Sequence, residues 1–462
     1  MSSYADLLST VLHETLACQD PTTSQCLERK HGLYAPFGPA IPGEAGSYPT
    51  TDAAMDALAS IADRYRQNDP RLARSVGRDA MRLMVSRVAG DLLPELVKEP
   101  EARKRWRLFR ERLLARLQSV AQDIVHYVPV WLFLNQECPP FAIGPVRFVE
   151  PKDWLDVIEG RSGRTLPWVA SVRNLWSESQ AGEAARPRDQ PEGLAARAVA
   201  RAVHPDQWIA CVEVNGFERE ESHRRGVLAA RVALDTVRLA LGGSSRRLLS
   251  TAADSVIPLS VDRLSQVAGQ DLARGARINR PGVSGRPRMA HEVVSCSAQL
   301  FAAAGACISS AVTSPQAGHA CPLLADRWFN AAHWFGRACQ SDGDFAAVIM
   351  LVIALDVLCG GKEDRGITEL AARLTGTAAS TSVLQDGTSL EKLVAATYSL
   401  RSKVAHGSVM AMHEPLDVER AHLESLAAAV IGEYAVQLHT YAQAGGADDR
   451  DAFLGSLRPA PV

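Results

Sequence analysis

The spacing of apolar and polar positions changes character twice along the chain. From Thr51 to Gln122 apolar residues recur every three or four positions, the period of amphipathic helices. The clearest stretch is Arg103 to Gln118, where Trp106, Phe109, Leu113 and Leu117 share one face. Near Val130 strand signals begin. Val130 to Leu134 is a compact apolar run, Phe141 to Val149 is a second, and Trp208 to Val214 is a third. Gly144-Pro145 splits the second run, which predicts a turn or bulge at a sheet edge. A long helix is expected from Glu218 to Leu241, stopped by Gly242-Gly243. Beyond Asp326 strand signals cease, and helices are predicted over 326–340, 343–359, 367–375, 388–406 and 414–441. The apolar run from Phe345 to Leu355 is about half the length of a membrane span, so it predicts the central helix of a bundle. Loops are expected at Tyr34 to Pro49, Gln180 to Gly193 and Ala273 to Met289.

These patterns describe an α-rich multidomain (α+β) chain. A mainly helical region (1–122) precedes a mixed α/β region (123–318), an all-α helical bundle (319–445) and a tail (446–462). A length of 462 residues suits about three domains.

Composition narrows the function classes. Hydrophobic residues at 47% and charged residues at 22% belong to a globular protein, not a disordered one. A net charge of −2 provides no global field for a polyanion, so such a site must be a local patch. Two patches qualify. Arg103, Lys104, Arg105, Arg107, Arg110, Arg112 and Arg116 surround the apolar face described above, either as the solvated side of a packed helix or as a track for RNA phosphates. Arg274, Arg277, Arg280, Arg286 and Arg288 lie in the third predicted loop, which either solubilises the surface or grips RNA. The nine cysteines form no Cys-x-x-Cys pair, which points to reduced thiols in a cytoplasmic protein with no metal. Met1 to Ala17 has no basic n-region, and no membrane association is expected. Gly242 to Arg247 is only superficially like a phosphate loop, because it lacks the Gly-Lys-Ser/Thr ending and follows a helix.

The predicted helix 388–406 carries the candidate chemistry. Thr388 and Glu391 have capping-box spacing. Leu390, Val394, Thr397, Arg401 and Val404 then follow one face, placing Arg401 on the seam, where a guanidinium needs a carboxylate, a phosphate or water. At about 100° per residue, Arg401 and His406 point about 140° apart. They converge on one pocket only if the last turn unwinds, and Gly407 makes such an ending easiest.

The segment Tyr398-Ser399-Leu400-Arg401-Ser402-Lys403-Val404-Ala405-His406-Gly407 resembles the Arg-x4-6-His signature of the HEPN ribonuclease family. The form Leu-Arg-Ser-Lys-Val-Ala-His-Gly is similar to the ApeA-like branch, found in bacterial anti-phage proteins. Val352 to Leu358 resembles that branch's Ala-Leu-acidic-x-Leu element, and Ala371-Ala372-Arg373-Leu374 its following Arg-bearing helix. The resemblance covers about 120 residues. It implies a HEPN helical bundle and a metal-independent endoribonuclease without cofactor, acting as a homodimer on RNA under a phage-derived trigger or regulatory ligand. His406 would be the general acid or base, and Arg401 would stabilise charge on the phosphorus. Asp356 would orient Arg401, with Tyr398 and Ser402 in support. Lys403, Arg373, Arg277 and Arg280 would contribute to RNA binding. Ser402 stands where family members often carry Asn, Asp or His. The alternative function is a non-catalytic adaptor that dimerises or binds RNA.

Overall fold

The computed structural model describes residues 2–19, 39–44, 46–180, 191–254, 260–265, 273–278, 281–313, 319–409 and 415–457. It divides into two units, one of residues 1–124 with 214–224, the other of residues 125–213 with 225–462.

In the first unit the predicted helical periodicity becomes a helical core. Helix α1 (Tyr4–Gln19) is followed by a hairpin of β1 (Ala40–Gly43) and β2 (Gly46–Pro49), then by α2 (Asp52–Asn68), α3 (Pro70–Ser75), α4 (Arg78–Lys98) and α5 (Ala102–Val120). Thr51 caps α2, its side chain accepting from the Ala54 amide. Leu8, Leu12, Leu58, Ile61, Val85, Leu92 and the α5 face Phe109, Leu113 and Leu117 form the core. Trp106 stacks on Tyr4 with ring centroids 4.7 Å apart. The β1–β2 hairpin lies within the predicted loop Tyr34 to Pro49. Ile41 is fully buried, and a Cβ on Gly43 would come within 2.8 Å of the Gly90 backbone on α4. The hairpin thus depends on a close backbone approach that has no periodic signal.

The second unit contains β3 (Gln122–Trp131) from Val125 onward, β4 (Phe141–Ile143), β5 (Val146–Val149), α6 (Pro151–Ser162), α7 (Pro167–Gln180) and α8 (Pro191–Ala202). These are followed by β6 (Trp208–Phe217) as far as Glu213, α9 (Arg219–Ala240) from Arg225 onward and a 3-10 turn (Gly243–Leu248). With β7 (Ser250–Thr251) the strands form a sheet in the order β4-β5-β6-β3-β7. The β4–β5 turn is at Gly144, with φ of +58°, as the Gly-Pro break predicted. β8 (Ser260–Ser265) and β9 (Ala273–Ile278) make a separate antiparallel hairpin. The loop predicted over Ala273 to Met289 is corrected there: Arg277 belongs to β9, paired with Val261, and Arg280 lies outside the described residues. An Arg- and Gly-rich segment has little strand propensity of its own, so its pairing with β8 was invisible locally.

Two helices follow, α10 (Met289–Cys296) and α11 (Ala298–Val312), then the bundle α12 (Pro322–Gln340), α13 (Asp344–Cys359), α14 (Glu363–Thr375), α15 (Leu390–Ala405), α16 (Asp417–Gln443) and α17 (Arg450–Ser456). Helix α11, expected within the middle region, packs against α12 and α16 as well as β4. Its Gly305 lies so close to Gly144 that a Cβ on either residue would overlap the other's backbone. The predicted tail contains α17, because Phe453 is fully buried against Tyr434 and Tyr441. Helix α13 is the expected apolar centre, with Leu351, Leu355 and Leu358 buried. Among the described residues, no single helix is long and apolar enough to cross a membrane.

Buried charges tie the 3-10 turn into the bundle. Arg238 on α9 donates to Asp235 and, 3.1 Å away, to the Arg246 carbonyl. Arg246 donates to the Leu241 carbonyl at 2.6 Å and to the Glu424 carbonyl on α16 at 3.4 Å. In the Gly-Gly-Ser-Ser-Arg-Arg segment Arg246 therefore turns inward, and Arg247 pairs with Glu424 at 3.1 Å, so both guanidinium groups already have partners within the chain. Gly336 on α12 faces Asp235 so closely that any Cβ there would overlap the carboxylate. Gly336→Ala removes a helix penalty of about 1 kcal/mol but forces an overlap with a group pinned by Arg238, costing about 1–3 kcal/mol or more. The clash prevails, and thermal unfolding is expected to show a lower melting temperature for this variant. A melting temperature at or above that of the parent would show that the Asp235 site yields.

Candidate active site

Helix α15 starts one residue later than its spacing suggested. The N-cap is Ser389, whose hydroxyl accepts from the Lys392 amide at 3.5 Å, in place of the predicted Thr388–Glu391 box. Thr388 is held in the preceding turn, where its carbonyl accepts from the Val383 amide at 2.9 Å and its own amide donates to Asp386. Leu390, Val394 and Thr397 are buried and Arg401 and Val404 are half-buried, so the predicted face is the observed one.

The helix does not unwind before His406. The His406 amide still bonds to the Ser402 carbonyl at 3.0 Å. Gly407 then takes φ of +69°, its amide reaching the Val404 carbonyl at 3.1 Å, and the Ser408 amide reaches the Lys403 carbonyl at 2.8 Å. This is a complete left-handed glycine cap, which satisfies carbonyls the helix end would otherwise orphan. Arg401 and His406 accordingly remain on diverging sides of α15, about 140° apart. His406 and Lys403 are exposed, and among the described residues the His406 ring has no hydrogen-bonding partner.

Arg401 turns back along the helix. Its guanidinium carbon lies 6.0 Å from the centroid of the Tyr398 ring, within reach of a cation–π contact. Tyr398 in turn borders an apolar cleft with Val352, Leu355, Ile367 and Val394. Partial burial, and after it the Asp356 carboxylate, push the Tyr398 phenol above its ordinary value, while Arg401 draws it down. Asp356 on α13 is half-buried, and its Oδ1 is enclosed without a hydrogen-bond partner. No ion pair joins it to Arg401. Tyr398 thus lies under the influence of both an anion and a cation.

The other predicted residues lie elsewhere. Arg373 on α14 donates to the Leu454 carbonyl of α17 and to Glu369, both at 2.8 Å, so its guanidinium is committed to holding α17. It borders a cleft of about 260 Å³ with Lys362 and Asp451. A wider groove of about 650 Å³ runs between α14 and α15, past Asp364, Arg365, Glu391 and Lys392. Neither contains Arg401 or His406. Ser402 is half-buried beside Arg401 in sequence. Of Arg277 only the strand position is described.

Arg420, which the sequence does not single out, stands four residues before Glu424 on α16. Arg420 is fully buried and bonds to Glu424 at 2.8 Å, to Asp344 at the start of α13 at 3.0 Å, and to the Ala338 carbonyl at the end of α12 at 3.0 Å. It pairs with two carboxylates, one of which, Glu424, also pairs with Arg247 at 3.1 Å, and it caps a helix C-terminus, tying α12, α13 and α16 together. Burial pushes the thiols of Cys339 and Cys359 up to about 12, so neither supplies a nucleophile. Among the described residues no group of three or more His, Cys, Asp or Glu is placed to hold a metal ion.

No protein-family model matches this chain, and no curated protein or solved structure matches it.

Proposed function

We propose that this protein is a metal-independent endoribonuclease of the HEPN type, whose active site is completed where the ends of α15 from two copies meet. The observation that carries this reading is the regular end of α15. It leaves His406 and Lys403 exposed, with Arg401 on another side, so one chain alone offers a phosphodiester few converging groups. Two abutting motifs would supply two imidazoles and a cluster of cations. In that site one His406 takes the proton from the RNA 2′-hydroxyl and another protonates the leaving oxygen. Arg401 stabilises the extra negative charge on the phosphorus. Tyr398 and Asp356 are positioning residues for Arg401. The remainder of the chain would sense infection or recruit RNA, as suits an anti-phage effector.

One observation favours a second reading. Arg401 rests over Tyr398, away from His406, as suits an adaptor that dimerises or binds RNA without cutting it. Incubating the purified protein with mixed RNA in EDTA, beside Arg401→Ala and His406→Ala, separates the two. Cutting by the parent alone supports the nuclease, and no cutting by any of them leaves the adaptor.

The dimer has its own test. Light scattering at micromolar concentration is expected to give twice the mass of the 49.8 kDa chain. Monomer alone, together with full nuclease activity, would refute the composite site.

A further inference from the structure

Helix α5 has a charge unlike that of the chain around it. Its 19 residues contain seven cations and one acid, Glu111, for a net charge of +6. The chain as a whole is at −2, so everything outside α5 sums to −8. The buried stripe Phe109, Leu113 and Leu117, with half-buried Trp106, holds the helix to its unit. At about 100° per residue, Arg103, Arg107 and Arg110 fall along one border of that stripe, and Arg112 and Arg116 along the other. All five are exposed. None of their guanidinium groups makes a hydrogen bond or ion pair among the described residues.

Several other arginines of this unit are paired. Arg78 and Arg82 both pair with Asp63, at 2.8 and 2.7 Å, and Arg64 donates to the Ser2 carbonyl at 2.6 Å. On α5 itself Lys104 pairs with Glu101, and Arg105 donates to Ser9. The five unpaired arginines thus flank the exposed ridge of α5 as two rows of free charges on a rigid base, since Trp106 is clamped between Tyr4 and Phe109. Arg103 to Arg110 spans about 10 Å of helix, and Arg103 to Arg116 about 20 Å.

We propose that this ridge of α5 is a binding surface for the phosphodiester backbone of single-stranded RNA, separate from the motif at the end of α15. Charge complementarity selects a polyanion, and the choice of RNA rests on the ribonuclease reading. An anionic membrane fits less well. A helix that enters a bilayer surface presents large apolar side chains to it, and every exposed large hydrophobic residue among those described lies outside α5. Contacts confined to phosphates confer affinity and register without sequence preference, and their strength falls with salt.

The test uses the full chain carrying His406→Ala, so that the probe stays intact, and a labelled single-stranded RNA followed by fluorescence anisotropy as salt rises. Each phosphate contact contributes about 0.7 to the slope of log affinity against log salt for a single strand. Substituting Arg103, Arg107 and Arg110 together by Gln is expected to reduce the slope by about 2. Adding Arg112→Gln and Arg116→Gln is expected to reduce it by about 3.5 in all. None of these side chains has a partner to lose, so melting temperatures should match the parent and show the fold intact. Unchanged affinity and slope in the five-residue variant would overturn the proposal. So would ridge-dependent binding to phosphatidylserine vesicles in a protein that does not bind the RNA. Cleavage by the chain with His406 restored is read separately: a protein that binds through the ridge and cuts nothing refutes the nuclease and keeps the ridge.

Discussion

His406→Ala and Arg401→Ala are each expected to reduce RNA cleavage by about 10²- to 10⁴-fold while leaving the protein folded. The rate loss follows from the roles assigned. A positioned general acid or base contributes about 10²–10⁴, and one well-placed group stabilising transition-state charge about 10²–10³. The fold should survive because of how the side chains are placed. His406 is exposed, its ring bonds to no described group, and the bonds that end α15 are made by the backbone. Surface substitutions of that kind fall within about 0.5 kcal/mol. Arg401 contributes a cation–π contact to Tyr398, worth about 0.5–1 kcal/mol at an exposed site. Loss of cutting with an unchanged melting temperature would therefore assign the residues to chemistry. Full activity in either variant would remove that residue from the site. Loss of activity together with unfolding would contradict the placement of both side chains described above.

The second large effect concerns the substrate. If the RNA's own 2′-hydroxyl is the nucleophile, its oxygen attacks the adjacent phosphorus, the bond to the 5′-oxygen breaks, and the products are a 2′,3′-cyclic phosphate and a 5′-hydroxyl. The proton lost from the 2′-hydroxyl is taken by one imidazole, and the leaving oxygen receives a proton from another. Replacing that single 2′-hydroxyl by hydrogen removes the nucleophile and should stop cleavage at that position, while 2′-deoxy substitution elsewhere in the strand leaves it unaffected. DNA should be untouched and EDTA without effect. A two-metal mechanism needs carboxylates converging on cations about 4 Å apart, and the motif helix α15 has only Glu391, at its far end. Activity that returns only with added magnesium or manganese, or equal cutting of DNA, would refute attack by the 2′-hydroxyl. Mass spectrometry of the product ends distinguishes the cyclic phosphate directly.

Some of this protein was determined by its sequence alone. The helices of the bundle, the face formed by Leu390, Val394, Thr397 and Arg401, the glycine stop at Gly407 and the turn at Gly144 all follow from local rules. Apolar period decides which side of a helix is buried, and glycine decides where the backbone can become left-handed. Other features needed the tertiary structure. The hairpin at Ile41 and α17 around Phe453 are held by burial against residues about 50 or more positions away in one case and about 20 in the other, and short segments lack the length to show a period. Ser389 is the cap, and Thr388 is bonded within the preceding turn. The burial of Arg238, Arg246 and Arg420 has no local signal, since a charge is costly to bury unless paired and most of their partners are remote in sequence or backbone carbonyls. Only the folded chain brings up Asp235, Asp344, Glu424 and the carbonyl ends of helices that pay that cost. The same holds at the motif. The sequence placed Arg401 and His406 on one helix, but their divergence depended on whether its last turn stayed regular, and the Ser402 and Lys403 carbonyls, bonded to the His406 and Ser408 amides, kept it so.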